Sequence, residues 1–497
     1  MHFSTFCGLD DKERENALQA CLKKLDEWEV DQVRFSWCDI HGTTRTKTLM
    51  LEFAKTALRS GVGMVSTLML KDSSDRTAFK VFEPQGTKGM DGFGQGNNVT
   101  LLPDPKSIKR LPWSPQTAWI QCQAWFQNGQ PVPLDSRRIL ERATQALATK
   151  GFALKCGLEV EFHIYKTTNQ SAHLDPSLAS WPGQAPEVQL IHPGYNLLSE
   201  TWSDLCHEPM EIVQRTAQGL GLPLISLETE FGPSQVEAVF SPTLALEAAD
   251  NMVLFRSAVK QALARAGYHA TFMCRPPFDC IMSSGWHLHQ SLWDMKGHCN
   301  AFQRAQIQEN LDPLDAQYSL SAVGEHYLSG LLQHAQETTL LCTPTINGYG
   351  RFQPNALAPQ NVLWGRDNRG AMLRVIGEPI DASSRIENRL GEPAANPYLY
   401  MASQIYAGLE GIHDELKAPR ATQSPYGQIT NDAQDSQRIP NTFALALKTF
   451  EQSEFNQRSF GASFVNYYST LKRAELARYE AMKDEKKFNK EEYFSRI

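Results

Sequence analysis

The pattern of apolar and polar positions predicts a β-hairpin near the start of the chain. Residues 32–50, QVRFSWCDIHGTTRTKTLM, alternate between the two classes on either side of an Asp-Ile-His-Gly turn. A period of two places successive side chains on opposite faces of a strand, and short polar residues with glycine favour a tight turn. We therefore expect two paired strands with Asp39 at the tip between them.

Helical and strand-like patterns follow one another along the rest of the chain without strict alternation. Helices are predicted where apolar residues recur every three to four positions, in the segments 135–151, 242–266, 318–336 and 395–412. Strands are predicted where apolar and polar residues alternate, in the segments 157–165, 269–277, 285–293, 369–377 and 383–391. This order is typical of an α+β fold rather than of a doubly wound parallel sheet.

Two further features concern domain limits. Prolines around Pro112 predict a boundary between a small domain, residues 1–112, and a larger one, residues 113–497. The charged segment 477–497 is predicted to be a solvated terminal helix.

Composition narrows the classes of function. Of the 497 residues, 41% are hydrophobic and 21% are charged, and the formal net charge is −7. Acids and bases are interspersed, so the chain has no electrostatic footprint for nucleic acid or for an anionic membrane surface. Because it has neither a run of about 18 apolar residues nor a signal-peptide pattern, we expect a cytoplasmic protein with small-molecule partners.

Pairs of acidic residues and histidines supply the first candidate chemistry. The pairs are Glu159 with Glu161, His287 with His289, and Glu230 with Glu237. A spacing of two places both members of the first and second pairs on one face of a strand, and two neighbouring carboxylates repel each other unless a cation lies between them. Taken singly, each pair also fits an ordinary exposed strand face or a structural histidine.

Arginines supply the second candidate chemistry. Five of them fall within 39 residues: Arg351, Arg369, Arg374, Arg385 and Arg389. In the predicted strand 383–391, a period of two places Glu387 on the same face as two of these arginines. Carboxylate ligands favour magnesium or manganese, and several guanidinium groups beside such ions are typical of phosphoryl transfer.

Eight ordered motifs resemble those of the glutamine synthetase family. They are W-x-D-x-x-G at 37–42, E-x-E-F at 159–162, P-x-Q-x-E at 233–237, SGWHLHQS at 284–291, NGYGRFQP at 347–354, W-x-x-x-N-R at 364–369, RIENR at 385–389, and ANPYL with AGLEGI at 395–412. The resemblance implies a β-grasp N-terminal domain and a catalytic domain with a curved antiparallel sheet. It also implies stacked rings of subunits, with a dodecamer favoured, and active sites shared between neighbours.

The same resemblance implies roles for single residues. Two or three Mg²⁺ or Mn²⁺ ions would be held, one by Glu161, Glu230 and Glu237, another by Glu159, His287 and Glu387. ATP phosphates would be approached by His289, Ser291, Arg374 and Arg385. The glutamate carboxylate and the transferred phosphoryl group would be held by Arg351, Arg369 and Arg389. Asp39 would attract the incoming amine at the adjacent subunit's site.

Departures from the family pattern point to the acceptor. In ammonia-using members a glutamate follows the loop arginine at the position of Leu357, and a leucine there removes the charge that favours ammonium. The substrate-binding Asn-Gly of the family is Met282-Ser283 here, before Gly285. The loop NALAP followed by W-G-x-D-N-R resembles the branch that joins L-glutamate to organic amines, whereas Met282 and Ser283 concern how the α-amino group of the acid substrate is held. The aromatic neighbours Phe352 and Trp364 favour an apolar monoamine such as aniline or isopropylamine, and a polyamine would need an additional acid.

Three alternatives stay open at this point. They are an ammonia-using glutamine synthetase, a related ligase that uses a different acid, and a non-catalytic scaffold of the same fold. A scaffold would be free to lose metal ligands, whereas all six expected ligands are present.

Overall fold

The computed structural model describes residues 1–169, 174–306, 311–353, 358–426 and 438–497. In the N-terminal part the strands are β1 Gln32–Cys38, β2 Thr44–Met50, β3 Val62–Val65, β4 Asn98–Pro103, β5 Lys109–Leu111 and β6 Ser114–Phe126. They form a sheet in the order β2-β1-β6-β4-β3, with β5 paired to β6. Strands β1 and β6 are parallel, and the other pairs are antiparallel.

The larger sheet occupies the middle of the chain. Its strands are β7 Phe152–Asn169, β8 Glu187–Leu190, β9 Leu224–Thr229, β10 Gln235–Leu244, β11 Tyr268–Thr271, β12 Trp286–Asp294, β13 Trp364–Arg366, β14 Leu373–Ile376 and β15 Arg385–Gly391. The order is β13-β14-β15-β12-β7-β10-β9, and β8 and β11 extend the far end of β7. Apart from the parallel pair β13–β14, neighbouring strands are antiparallel.

Helices cover the sheets and form the C-terminal part. They are α1 Phe3–Phe6, α2 Lys12–Glu27, α3 Leu51–Ser60, α4 Ser136–Thr149, α5 Glu200–Leu205, α6 His207–Gly219, α7 Ala245–Arg265, α8 Ala322–Gln333, α9 Ala335–Cys342, α10 Pro397–His413, α11 Phe443–Gln452, α12 Glu454–Phe460, α13 Ala462–Met482 and α14 Glu485–Asn489. The mixture confirms the predicted α+β fold. In the described part of the chain, no helix has the length and apolar character that crossing a bilayer requires.

The predicted hairpin is confirmed as β1 and β2, and its turn is fixed from both sides. Gly42 has φ +78°, and a Cβ there would lie 2.5 Å from a guanidinium nitrogen of Arg256. The side-chain amide of Asn396, which caps the start of α10, donates to the main-chain oxygens of Asp39 and Ile40 at 3.0 and 3.2 Å. The hairpin tip is therefore held against the larger domain.

The position of β6 bears on the domain limits. This strand lies beyond the predicted boundary at residue 112, yet it pairs with β1 and β4 of the N-terminal sheet. The indole Nε1 of Trp37 on β1 also donates to Asp135, the residue that caps α4, at 3.2 Å. The division into two domains stays a prediction, and we propose that the boundary follows Phe126.

The expectation of a solvated terminal helix over 477–497 is wrong. Helix α13 ends at Met482, and the chain then turns back through α14 and a short π-helix, Lys490–Phe494. Phe488, Tyr493 and Phe494 are completely buried in a satellite cluster with Tyr165 of β7. The charged residues between these aromatic residues masked an apolar face that packs on the larger sheet.

Candidate active site

The register of the larger sheet sets the acidic and histidine motifs side by side. Glu161 of β7 lies opposite Glu237 of β10, and Glu159 of β7 lies opposite His287 of β12. Alternation along each strand then projects these side chains from one face of the sheet. Sequence spacing predicted the pairs within strands, and pairing between strands joins them into one site.

One part of the site, called here the histidine half, consists of Glu159, His287 and Glu387. Nδ1 of His287 lies 3.5 Å from Oε2 of Glu159 and 3.7 Å from Oε1 of Glu387. Nε2 of His289 lies 2.9 Å from Oε1 of Glu159, and Nδ1 of the same ring accepts from Nε of Arg385 at 3.2 Å. Because Nδ1 accepts, the proton of the neutral ring resides on Nε2, where it faces the carboxylate.

The histidine half keeps its carboxylates charged. Burial alone would raise the pKa of Glu159, but hydrogen bonds from His287 and His289 hold it well below its usual range. Burial would likewise raise the pKa of Glu387, and the positive charges around it lower it, that of His287 when its ring is protonated and those of Arg389 and Arg374 at any pH. Burial lowers the pKa of His287 to about 4, so this ring is neutral at physiological pH and can offer a lone pair to a metal ion.

The other part, called here the acidic half, consists of Glu161, Glu230 and Glu237. Burial and the charge of Glu230 raise the pKa of Glu161 to about 7. Burial and the charge of Glu161 raise the pKa of Glu237 to about 10, and burial also raises the pKa of Glu230. These carboxylates therefore raise one another's pKa values, and the charges of Arg351 and Arg389 offset the effect on Glu161 only in part.

Gly285 and Gln235 fix the position of Glu161. The main-chain N–H of Gly285 and the side-chain amide of Gln235 donate to Oε2 of Glu161, the latter at 3.3 Å. A Cβ at Gly285 would lie 3.0 Å from a guanidinium nitrogen of Arg351 and 3.3 Å from Nε2 of His287. The site closes around this glycine, and a side chain there would displace an arginine or a histidine.

The donor set fits divalent metal ions. Two groups of three side chains have ligand atoms within 4.8 Å of one another: Glu159, His287 and Glu387, and Glu161, Glu237 and His287. The first group is the set that the sequence predicts. In the second, His287 stands where the prediction has Glu230, which raises the pKa of Glu161 through its charge. Buried carboxylates with raised pKa values are stabilised when a cation binds between them.

Arginines line the strand beside these carboxylates. Arg374 donates to Oε2 of Glu387 at 3.0 Å, and Arg389 donates to Oε1 of the same carboxylate at 2.6 Å. Arg374 also donates from Nε to Asp367 at 3.0 Å. Arg369 is exposed on the turn next to Asp367. The structure thus brings Arg374 and Arg389 to the histidine half and leaves Arg369 at its outer edge.

Arg351 forms no ion pair among the described residues, although its charge acts on Glu161 and Glu392 nearby. Its guanidinium donates to the main-chain oxygens of Arg389, Leu390 and Gly391 at 2.6, 3.0 and 2.8 Å. Only 3% of the residue is exposed. A buried guanidinium that is bonded only to neutral oxygens is available to attract an anionic substrate.

A cavity of about 580 Å³ opens beside the histidine half. Its lining includes Glu159 and three of the four predicted nucleotide-binding residues, His289, Ser291 and Arg385. Arg374, the fourth, does not line this cavity and forms an ion pair with Glu387 instead. The cavity has the cationic groups and the size that a nucleotide site requires.

The remaining predicted residues lie in different settings. Asp39 is 2% exposed, and its carboxylate accepts from the main-chain N–H groups of His41 and Thr43 and from Nε of Arg45 at 2.9–3.0 Å. Its contacts are those of a hairpin stabiliser, and its role at a neighbouring site stays a prediction. Met282 and Ser283 precede Gly285 at the acidic half, whereas Leu357 lies outside the described residues.

The two aromatic residues that were expected to favour an apolar amine are buried in the core. Trp364 is 2% exposed and donates through Nε1 to the oxygen of Pro419 at 2.7 Å. Phe352 is 6% exposed and packs against Tyr349. Both residues form part of the core, so the preference for an apolar amine does not rest on them.

Sequence reasoning missed two polar residues at the site. Gln235 links Glu161 to the main-chain oxygen of Ser283 and to the hydroxyl of Ser284 at 3.2 and 3.1 Å. Arg275 donates to Oγ of Ser283 at 2.7 Å. Gln235 is the glutamine of the P-x-Q-x-E motif, so the motif could have identified it. Arg275 reaches the site through a loop whose path the sequence did not predict.

Comparisons with known proteins agree with this geometry. Residues 133–491 match the family model described as the glutamine synthetase catalytic domain. A γ-glutamylanilide synthase of Acinetobacter sp. is 37% identical over 94% of this chain and 92% of its own length. GlnA4 of Streptomyces coelicolor, a γ-glutamylethanolamide synthetase, is 30% identical over 91% of this chain and 90% of its own. The solved GmaS/ADP complex is 25% identical, with a TM-score of 0.72 over 94% of this chain and 97% of that one. The chain therefore belongs to the glutamine synthetase family and is an ATP-dependent ligase.

Proposed function

We propose that the protein joins the γ-carboxylate of L-glutamate to an organic monoamine, in the catabolism of such amines. An aromatic or small alkyl amine such as aniline or isopropylamine is the favoured acceptor. The sheet face that sets two carboxylate–histidine groups beside Arg351, Arg374 and Arg389 carries the phosphoryl-transfer part of this proposal. The choice of an organic amine as acceptor is supported by Leu357 and by the similarity to the two relatives named as γ-glutamylamide-forming enzymes.

The proposed reaction has two steps. An oxygen of the γ-carboxylate attacks the γ-phosphorus of ATP, and the bond from that phosphorus to ADP breaks. The amine nitrogen then attacks the acyl carbon of the γ-glutamyl phosphate, the carbon–oxygen bond to phosphate breaks, and the nitrogen loses a proton. Divalent ions, when bound, would neutralise charge on the phosphate oxygens; we propose two or three Mg²⁺ or Mn²⁺ ions, because most of the donors are carboxylates.

The chain's own residues position and neutralise the reacting groups. Arg351 offers a buried positive charge to the glutamate carboxylates, and Arg389, held by Glu387, adds a second guanidinium group beside the histidine half. The hydrogen bonds of Gly285 and Gln235 hold Glu161 in one orientation. Groups held in place before the substrate arrives reduce the reorganisation that an in-line transfer requires. This complete set argues against a non-catalytic scaffold.

An assembly of subunits belongs to the same proposal. Strand β2 is an edge strand of the N-terminal sheet, and the nearby Met50 and Phe53 are 52% and 65% exposed. An open strand edge with exposed apolar side chains is typical of a surface that another chain covers. We propose a homo-oligomer of stacked rings, with a dodecamer favoured, in which this surface meets a neighbouring subunit.

Substitution at residue 357 tests the choice of acceptor. Phosphate release would be measured with aniline, isopropylamine, a diamine and ammonium at fixed glutamate and ATP. Leu357→Glu should lower kcat/KM for the apolar amines at least tenfold and raise ammonium use, because a carboxylate attracts a small cation and excludes an apolar group. Leu357→Gln has a similar size without the charge, so it should weaken amine use but leave ammonium use unchanged.

Two results would contradict the proposal. One is that the native protein turns over ammonium at low concentration better than any organic amine. The other is that Leu357→Glu and Leu357→Gln have the same profile across the amines, since the charge at this position would then have no part in the choice of acceptor.

A further inference from the structure

One face of β7 carries a lysine, Lys155, whose positive charge the mechanism above does not use. Residues Lys155, Gly157, Glu159 and Glu161 alternate along the strand, so their side-chain positions share this face. Lys155 lies opposite Ser291 in the register with β12, and both residues line the 580 Å³ cavity. Gly157 leaves an open stretch between the lysine and the carboxylates.

Lys155 is held in the cavity by an aromatic ring. Its Nζ lies 3.6 Å from the ring centroid of Trp293, and the indole Nε1 of Trp293 donates to Oγ of Ser291 at 2.9 Å. Among the described residues, Lys155 has neither an ion pair nor a hydrogen bond to a carboxylate. A fixed ring that supports an unpaired ammonium group keeps the charge available for an anionic ligand.

The rest of the cavity indicates what kind of anion fits. Arg385 adds positive charge next to His289, whereas Glu159 is already engaged by two histidines. The opposite wall is apolar and includes Ile225, Val239, Phe240 and Pro242. The cavity thus has a cationic side and an apolar side. A nucleotide has the matching parts, a negatively charged phosphate chain and a flat base.

We propose that Lys155 binds the α-phosphate of the nucleotide, at the end of the polyphosphate chain away from the transferred phosphoryl group. The inference rests on the ATP-dependent ligation proposed above. Glu159 follows Lys155 by four residue steps along the extended strand, so their Cα atoms are roughly 13 Å apart. A polyphosphate chain that lies over Gly157 can therefore reach the metal-binding carboxylates with one end and the lysine with the other.

Nucleotide binding without turnover tests this assignment. The dissociation constants of ATP, ADP and adenosine would be measured by calorimetry and by tryptophan fluorescence on the full-length protein, with neither glutamate nor amine present. Lys155→Met should raise the constants for ATP and ADP about tenfold and by the same factor, because both nucleotides keep the α-phosphate. Adenosine should bind the variant and the native protein equally, and Lys155→Arg should restore most of the affinity for ATP.

Lys166→Met is the matched control, since Lys166 is an exposed lysine near the far end of the same strand. It should leave all three constants unchanged. Unchanged ATP binding in Lys155→Met would overturn the proposal, and so would a loss much larger for ATP than for ADP, which would place the lysine at the γ-phosphate. Failure of every organic amine in the acceptor assay would contradict the proposed acceptor without changing these constants.

Discussion

The two halves of the active site contain the same kind of side chain in opposite electrostatic states. In the histidine half the pKa values of Glu159 and Glu387 are lowered, whereas in the acidic half those of Glu161, Glu230 and Glu237 are raised. Burial acts in the same direction on all five. The difference comes from the neighbours: hydrogen bonds from histidines and the charges of arginines lower the pKa values in one half, whereas carboxylates raise one another's pKa values in the other, where Arg351 and Arg389 offset the effect on Glu161 only in part.

This contrast has a consequence for stability. The carboxylates of the histidine half are compensated inside the protein by hydrogen bonds from the histidines and by the guanidinium groups of Arg374 and Arg389, so removal of a carboxylate charge leaves buried partners unpaired. The acidic half repels itself until a cation binds, so removal of one member relieves strain in the metal-free protein. Substitutions that remove a carboxylate charge should therefore change stability in opposite directions in the two halves.

The largest effect is expected for Glu387→Gln. The carboxylate of Glu387 is fully buried and accepts from Arg374 and Arg389. Without the charge of Glu387, Arg389 loses its acidic partner and Arg374 keeps only the exposed Asp367, so the free energy of unfolding should fall by about 3–5 kcal/mol. Activity should be lost, because one of the three side chains proposed to hold a metal ion in the histidine half is changed. Chemical denaturation and phosphate release measure the two effects.

Glu392→Gln is the matched control for this variant. Glu392 is also fully buried, but its carboxylate accepts from the N–H and hydroxyl of Thr345, and burial raises its pKa to about 7. A glutamine can accept from the Thr345 N–H through Oε1 and donate through Nε2 to the Thr345 hydroxyl, so the loss should be under about 1.5 kcal/mol. An equal loss in both variants would show that burial, rather than the paired arginines, sets the cost.

A smaller effect of opposite sign is expected for Glu237→Gln in metal-free protein. The pKa of Glu237 rises from 4.5 to about 10 on folding. A group with a raised pKa contributes its stability fully below its unfolded pKa and loses it as pH rises toward the folded value. Between pH 6 and 9 the native protein in chelator should thus lose up to about 1.4 kcal/mol per pH unit from this residue, and the glutamine variant should lose less.

Added Mg²⁺ or Mn²⁺ sharpens the same test. The ion should raise the thermal midpoint of the native protein most at high pH, where the acidic half is ionised, and should raise that of Glu237→Gln less. Glu247→Gln, on an exposed face of α7, should behave as the native protein does. If Glu237→Gln were less stable than the native protein in chelator at pH 8, the acidic half would not be repulsive.

The two halves also differ in how far the sequence alone predicts them. The spacing of two in E-x-E, H-x-H and R-x-E-x-R places each set of side chains on one strand face without knowledge of the neighbours. Which strands pair is a long-range property, and the local pattern does not contain it. His287 was therefore assigned to one metal group, whereas pairing between β7, β10 and β12 places it within reach of both.

In the rest of the fold, elements set by local sequence were predicted correctly, and features that depend on long-range contacts were missed. The hairpin around Asp39 and the helices that became α4, α7 and α10 were predicted, because turn residues and apolar periods are local. The burial of Phe488 and Tyr493 was missed, because charged neighbours outnumber them and their partner surface is on β7. Trp364 was misjudged for a related reason, since an aromatic residue near a substrate loop in sequence lies in the core in space.

The smallest effect is expected for Asp367→Asn, at the outer edge of the histidine half. Asp367 forms an ion pair with Arg374, but its side chain is 70% exposed, and the same guanidinium keeps its buried bond to Glu387 at 3.0 Å. Solvent screens exposed pairs, so the free energy of unfolding should change by less than about 0.5 kcal/mol. The KM for ATP should rise about twofold, because Arg374, a predicted nucleotide-binding residue, gains freedom to move. At high salt the native protein should approach the variant, since salt weakens the exposed pair and leaves the buried one intact. A loss as large as that of Glu387→Gln would mean that Asp367, rather than the buried carboxylate, anchors Arg374.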